Sequence, residues 1–472
     1  MQAWSKISRM PAPGIKKMQD ELLQKMIREL AARHPYYRAL FKEKGIDPSS
    51  VKGVSDLKGL PFTDKGDILP PKDNPSHPKQ FVLEQTAADE ASPKKSGLKL
   101  FGKKDAEPVS NEYKLASLYY TGGRTAKPVP LVYTHYDLEN VKEAGLRAFD
   151  IWGLDRDDTL VNAFSFAPNI SFWQMYYSGM EIGSTALQTG GGRVLGMEKI
   201  LRALNNMEAP VMVASPGYAQ FAMQTMAHFG FAMNSLERLI VGNDYTPTVQ
   251  VDRLKKLMEG VMTKGTVVQR IYFVSEAKSG WAECEPEQGY HLNPDHVLVE
   301  IVDPETGEIK KEREAGEVVV TNLDARGTVF LRFRTGDTAT GGLTTEPCPK
   351  CGRTVPRILG DIERKSLIFA LQGKDGAQKF NGNALRRFMI NKTDVLQWYA
   401  ELHRNGQSDT LKVVIKASKE IDDKGLTDTL ARQLADEFKV PVTIDTSSLE
   451  AIIDKIGMEK SITEQRIFDL RA

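Results

Sequence analysis

From Tyr113 to about Ser275 the chain alternates helical periodicity with short β-rich runs, and no other feature constrains its fold as much. Helical stretches over residues 138–149, 194–206, 218–229 and 249–262 are interleaved with apolar, β-branched runs at 159–164, 211–215, 239–241 and 267–273. A helix between successive strands is the crossover that parallel strands need, so this order predicts a largely parallel sheet covered by helices. Between Val297 and Arg334 the pattern changes. Runs at 297–302, 317–321 and 330–334 are separated by turns such as Asp303-Pro304-Glu305-Thr306-Gly307, which predicts a smaller antiparallel or barrel-like subdomain. After about Asp361 come strands near 398–403 and 412–416, a helix over 426–438 and a strand at 442–445. These predict a small α+β domain of about 100 residues. The expected fold class is α/β: a large N-terminal domain, 1–360, with α/β sheets and a barrel-like β subdomain, followed by a small α+β C-terminal domain, 361–472.

The N-terminal region opens on an amphipathic helix, with Met18, Leu22, Leu23, Met26, Ile27 and Leu30 on one face. A second helix over 36–44 is ended by Gly45. Residues 71–112 lose all periodicity and gather Lys94, Lys95, Lys99, Lys103 and Lys104, which fits a solvated flexible insertion better than a phosphate site. Across 472 residues, 63 basic and 62 acidic side chains leave a formal charge of +1, too little for a field that favours nucleic acid or anionic lipid. No apolar run approaches the roughly 18 residues of a membrane span. Residues 1–17 lack a leader's apolar core, so a cytoplasmic location is expected. Three cysteines cannot build a disulfide framework in so long a chain.

Three local motifs point to chemistry. Thr121-Gly122-Gly123-Arg124-Thr125-Ala126-Lys127-Pro128 follows an apolar run, and its glycines let backbone N–H groups turn toward an anion. It lacks Walker A spacing, and by itself such a loop is more often an ordinary turn. Ile271-Tyr272-Phe273-Val274-Ser275-Glu276 reads as a strand running into a polar turn, and Arg332-Phe333-Arg334-Thr335-Gly336-Asp337 as a β-turn. Cys348-Pro349-Lys350-Cys351 is a CxxC half-site without the βαβ context of a redox motif. Cys284 stands seven residues before His291, and the four side chains make a closed zinc set of three thiolates and one imidazole. His296 is the alternative imidazole. The bland reading makes Cys284 a buried hydrophobe and His291 a surface residue.

The first loop resembles the Ser-Ser-Gly-Thr-Thr-Gly-Lys-Pro phosphate loop of adenylate-forming enzymes, and the chain as a whole is similar to their phenylacetate–CoA ligases. Tyr133-Thr134, Asp137-Leu138, His34-Pro35-Tyr36-Tyr37-Arg38 and Leu60-Pro61-Phe62-Thr63-Asp64-Lys65 match family stretches in order, as do Gly190-Gly191-Gly192, Ser215-Pro216-Gly217-Tyr218 and Gly242-Asn243-Asp244. Some of those ligases show a similar Cys, His and paired-Cys arrangement. The resemblance implies an N-terminal AMP-binding domain, 1–360, with a zinc-bearing segment at 284–351, and a mobile C-terminal lid turning on Arg364 and Lys365. It implies Thr121, Gly122, Gly123, Arg124, Thr125 and Lys127 around the phosphates of ATP. Gly242, Asn243 and Asp244 join the nucleotide site, with Tyr272 beside adenine, Ser275 near the α-phosphate, Glu276 on Mg²⁺ and Asp337 on the ribose hydroxyls.

In the family a C-terminal lysine completes adenylation. Here Thr463 takes its place, with Lys460 three residues away as the substitute, and Lys127 and Glu276 are the other catalytic candidates. Asp361 replaces a ribose-contacting hinge arginine, for which Arg357 is the stand-in; Phe273 replaces a glycine and is expected to narrow the adenine slot. The implied activity joins ATP and a carboxylic acid into an acyl-adenylate, then transfers the acyl group to coenzyme A or a carrier thiol. An aryl acid is favoured, with Phe164, Phe166, Phe172, Trp173, Tyr176 and Tyr177 as walls, although such a stripe is more often plain core. No nucleic-acid or membrane partner is expected, and a homodimer is left open. A non-catalytic nucleotide- or acyl-binding protein on this scaffold, and a zinc-dependent interaction module, are the alternatives.

Overall fold

The computed structural model describes residues 2–85, 110–121, 128–192, 194–230, 234–261, 265–373, 376–406, 408–418, 423–458, 461 and 463–471. Two compact units emerge, each assembled from separate stretches of chain. The first comprises Met1–Asp157, Pro168–Ser184 and Ile271–Gly360; the second comprises Asp158–Ala167, Thr185–Arg270 and Asp361–Ala472. Among the described residues, no helix is long and apolar enough to cross a membrane.

In the first unit the helix Ala12–Arg33 buries Leu23, Met26, Ile27 and Leu30, four of the six positions that periodicity placed on its apolar face. The next helix, Pro35–Lys44, ends at Gly45 with φ 63°, a left-handed cap that a Cβ would oppose. His34 caps its start: Nδ1 accepts from the Tyr37 amide at 3.2 Å, so the ring proton sits on Nε2, 3.2 Å from the Val329 carbonyl oxygen. Strands Val297–Val302, Gly316–Asn322 and Phe333–Ala339 form the expected antiparallel subdomain. Its third strand begins three residues later than the sequence pattern suggests. Arg332 has left-handed backbone, φ 48°, because its guanidinium is buried on Glu300 (3.0 and 2.9 Å) and the Leu60 carbonyl (2.7 Å). Residues 271–274 of strand Val267–Val274 pair antiparallel with Ser279–Ala282.

In the second unit the sheet is parallel as predicted, with Thr159–Asn162 between Thr185–Gln188 and Val211–Ala214, and Arg238–Gly242 beyond. Helices Met197–Asn206, Pro216–Phe229 and Thr248–Glu259 supply the crossovers, and Leu204, Met223 and Leu254 are buried with Met212 and Val241 in one core. The C-terminal residues form a second sheet in the order Val442–Thr446, Ser408–Ala417, Val395–Asn405, Ile467–Asp469. The central hairpin is antiparallel and both outer strands are parallel to their neighbours. Helix Asp423–Phe438 and strand Val442–Thr446 agree with the predicted α+β pattern.

Burial holds the His34 imidazole down, to about 3 against 6.5 when exposed. A depressed folded value means that stability present above pH 6.5 is lost as pH falls from there toward 3. By pH 5 the loss attributable to His34 is about 2 kcal/mol. His34→Asn, which keeps the helix cap, should show a correspondingly flatter urea midpoint between pH 7 and pH 5 than the parent chain.

Candidate functional site

The hairpin from Ile271 to Ala282 positions the residues read as a nucleotide site. Strand alternation puts Tyr272 and Val274 on one face and Ile271 and Phe273 on the other. The Tyr272 hydroxyl donates to Asp337 Oδ2 at 2.8 Å, joining two residues 65 positions apart for which the family resemblance implies roles at adenine and ribose. Asp337 follows Gly336, whose φ of 75° makes the local bend, and its amide donates to Thr335 Oγ1 at 3.1 Å. The two arginines of this stretch serve the fold: Arg332 pairs with Glu300 and Arg334 with Glu317. Phe273 does not face Tyr272. It lies opposite Gly280, where a Cβ would sit 2.4 Å from its ring, so its bulk is spent filling a glycine gap across the hairpin rather than narrowing an adenine slot.

The turn Ser275–Lys278 closes the hairpin with hydrogen bonds from Ala277 N to Val274 O (3.1 Å) and Lys278 N to Ser275 O (3.0 Å). Its carbonyls are also held by neighbours. Tyr133 Oη donates to Ser275 O at 2.6 Å and Asn322 Nδ2 to Glu276 O at 3.1 Å. Ser275 and Glu276, both half-buried, therefore project from a fixed backbone. Sequence reading passed over Lys278, which is buried and has left-handed backbone, φ 54°. The local sequence carries no signal of it: a turn position with this backbone favours glycine or asparagine, and a lysine there reads as an ordinary solvated residue.

At the end of the hairpin formed by Leu115–Tyr120 and Pro130–Thr134, Thr121 N donates to Val129 O at 3.1 Å, and Thr121 Oγ1 accepts from Val129 N at 3.2 Å. Gly122, Gly123, Arg124, Thr125 and Lys127 lie outside the described residues, as does Lys460. In the second unit, Gly242 ends its strand and Asn243 has φ 66°. The buried carboxylate of Asp244 accepts from Tyr245 N (2.6 Å) and Arg386 (3.1 Å). Asp361 Oδ1 accepts from Thr248 N and Oγ1, both at 2.9 Å, and from Arg270 at 3.0 Å. Arg364 exchanges backbone hydrogen bonds with the Asn383 side chain, and Lys365 opens the short turn Lys365–Leu367. The structure gives Arg357 another occupation: its buried guanidinium donates to the carbonyls of Gln288, Glu346 and Pro347, bracing the loop that leads into the CxxC half-site.

Cys284, His291, Cys348 and Cys351 do converge. Their ligand atoms all lie within 4.8 Å of one another, with 3.6 Å between the sulfurs of Cys284 and Cys348 and 3.2 Å from Cys351 Sγ to His291 Nε2. His291 Nδ1 lies 3.2 Å from the Ala282 carbonyl oxygen, which takes the ring proton and leaves Nε2 free to ligate. Cys351 is drawn down by the Cys284 thiol and His291, and Cys284 is pushed up by Cys351. Three thiols and one imidazole Nε2 gathered within 4.8 Å are the donor set of a tetrahedral divalent-cation site, and the residues fit one. His296 is not part of it; its Nε2 lies 3.2 Å from Arg147, inside an ion-pair cluster with Asp295.

On this α/β scaffold Tyr272 and Asp337 meet beside a Ser-Glu turn, and comparison with known proteins identifies the class as adenylate-forming. A family profile described as AMP-binding enzyme matches residues 50–323, more than half of the chain, and the chain belongs to that family. Within it the chain is phenylacetate–CoA ligase-like. It is 28% identical to the phenylacetate–coenzyme A ligase of Thermus thermophilus, over 77% of this chain and 73% of that protein. With the ligase of the same name from Aromatoleum evansii it shares 25% identity, over 97% and 98% of the two chains. A crystal structure of 2-hydroxyisobutyryl-CoA ligase in the postadenylation state with 2-HIB-AMP superimposes with a TM-score of 0.73 at 18% identity, covering 98% of this chain and 91% of the other. At that identity the likeness is one of fold.

Proposed function

We propose that this chain uses ATP and Mg²⁺ to convert a carboxylic acid to an acyl-adenylate and pyrophosphate, and then passes the acyl group to the thiol of coenzyme A with release of AMP. The observation that carries this reading is the Tyr272–Asp337 hydrogen bond beside the fixed Ser275–Glu276 turn, in a chain of the AMP-binding family. Asp337 offers a carboxylate to two ribose hydroxyls, and the ring of Tyr272 offers a face to adenine. Mg²⁺, a hard cation, would be held by Glu276 and by phosphate oxygens, neutralising charge there. Attack of the substrate carboxylate on the α-phosphate builds negative charge that Ser275, Arg124, Lys127 and Lys460 are assigned to meet. The names of the relatives support an aryl acid, for which Phe172, Trp173, Tyr176 and Tyr177 on the helix Ile170–Ile182 are the proposed walls. Turning about Arg364 and Lys365 would then admit the thiol.

Zinc is assigned to Cys284, His291, Cys348 and Cys351. Four protein ligands leave no open position, so its role is structural, tying the end of the hairpin to the CxxC loop. One zinc per chain is expected by elemental analysis of reduced, chelator-washed protein, and Cys351→Ser should lose it and melt at lower temperature. A metal-free preparation with unchanged melting would contradict the assignment.

A second reading, nucleotide binding without catalysis, is favoured by Thr463 standing where the family has its lysine. Pyrophosphate exchange separates the two. Incorporation of labelled pyrophosphate into ATP is expected with at least one acid of an aryl and acyl panel, and Asp337→Ala should lower it by about a hundredfold or more. ATP binding with no exchange across the panel would support the second reading.

A further inference from the structure

Lys278 stands in a position that nothing in the hairpin requires to be lysine. Val274 and Ser279 are the last paired residues, so Ser275–Lys278 is a four-residue turn whose final member has φ 54°. A residue with a Cβ is strained there by about 1–2 kcal/mol. The side chain is nonetheless 5% exposed, and its ammonium meets a built socket. Nζ lies 3.5 Å from Asp137 Oδ2, 3.3 Å from the Val132 carbonyl oxygen, and 3.9 Å above the centre of the Tyr133 ring. All three partners belong to the end of strand Pro130–Thr134 and the first turn of helix His135–Trp152, the segment that leads away from the glycine-rich loop.

The socket is itself rigid. Asp137 and Thr134 cap the helix reciprocally, Thr134 N to Oδ2 at 2.9 Å and Asp137 N to Thr134 Oγ1 at 3.2 Å. Asp137 also accepts from Arg326 N at 3.0 Å and Gly327 N at 2.8 Å. A Cβ at Gly327 would lie 2.2 Å from the Val132 carbonyl oxygen and 2.7 Å from Asp137 Oδ2, so the backbone reaches that close only as glycine. Burying an ion pair contributes little net stability compared with an apolar filling of the same space, whereas it specifies one arrangement of its partners. Together with the Tyr133 hydroxyl on Ser275 O, Lys278 fastens the turn to the strand on both sides of Glu276.

We infer that Lys278 is a positioning residue: it locks the turn bearing Ser275 and Glu276 to the strand that leaves the phosphate loop, and so sets where the Glu276 carboxylate meets nucleotide-bound magnesium. The inference rests on the adenylation reading and names a residue that reading does not use. Its test is calorimetric titration of the full chain with ATP, once with magnesium and once in EDTA. The parent chain binds MgATP more tightly than metal-free ATP. In Lys278→Met the MgATP affinity falls by about tenfold or more, the range seen when supports of metal ligands are removed, while metal-free ATP stays within about threefold. Lys278→Gly accepts φ 54° without strain, removes the same charge, and behaves alike, which covers the case in which the methionine variant folds poorly. Unchanged affinities, or equal losses with and without magnesium in both variants, overturn the inference and leave the adenylation reading intact. A parent chain that binds no ATP at all overturns both, and is recognised before any substitution is made.

Discussion

A four-residue turn joins two strands that are fully paired up to Val274 and Ser279, and the chemistry of the first unit hangs on that turn. Antiparallel pairing fixes which side chains share a face, so Tyr272 must point toward Asp337 if Phe273 is to cover Gly280. Beyond the far end of the hairpin, Cys284 enters the cluster with His291, Cys348 and Cys351, and the Ala282 carbonyl orients the His291 ring. One short hairpin thus serves a candidate nucleotide site at its turn and a candidate metal centre at its base. Displacing it would disturb both.

Around the hairpin, several buried charges meet a partner of opposite sign. Arg332 meets Glu300, Arg147 meets Asp295, and Lys278 meets Asp137. Burial would raise the Asp295 carboxyl, but His296 and Arg147 outweigh it and hold it down to about 2. The same Arg147 lies 5.0 Å from the ring of Trp4, whose Nε1 donates to Asp150 at 2.9 Å, and Asp150 also accepts from Arg353 beside the CxxC half-site. The N-terminal helix Gln2–Ile7 is in this way fastened to the region of the four metal-type ligands. Such pairs specify geometry more than they stabilise, and geometry is what a nucleotide site and a metal site need.

Periodicity and motif made much of this legible. Alternating helical and β-rich runs were enough for the parallel sheet, because crossover helices leave a period of 3.6 between strands of period two. The CxxC pair, the remaining cysteine and the family resemblance pointed to the four-ligand cluster, while the choice of His291 over His296 is made by the structure. Other features had no local signature. The late start of strand Phe333–Ala339 depends on Arg332 reaching a glutamate 32 residues earlier. The partners of Arg357 are carbonyls of distant loops, which no pattern encodes. Phe273 read as a nucleotide-site departure because its cross-strand neighbour, Gly280, is identified only by register. Lys278 was hidden for the same reason: its strain and its carboxylate lie on different parts of the chain.

The most direct test of the central claim is a crystal structure of the chain with magnesium and a non-hydrolysable ATP analogue. The account predicts ribose hydroxyls on the Asp337 carboxylate, adenine beside Tyr272, and magnesium within inner-sphere distance of Glu276, about 2.1 Å. A nucleotide bound elsewhere, or one that leaves the Tyr272–Asp337 pair untouched, would contradict it.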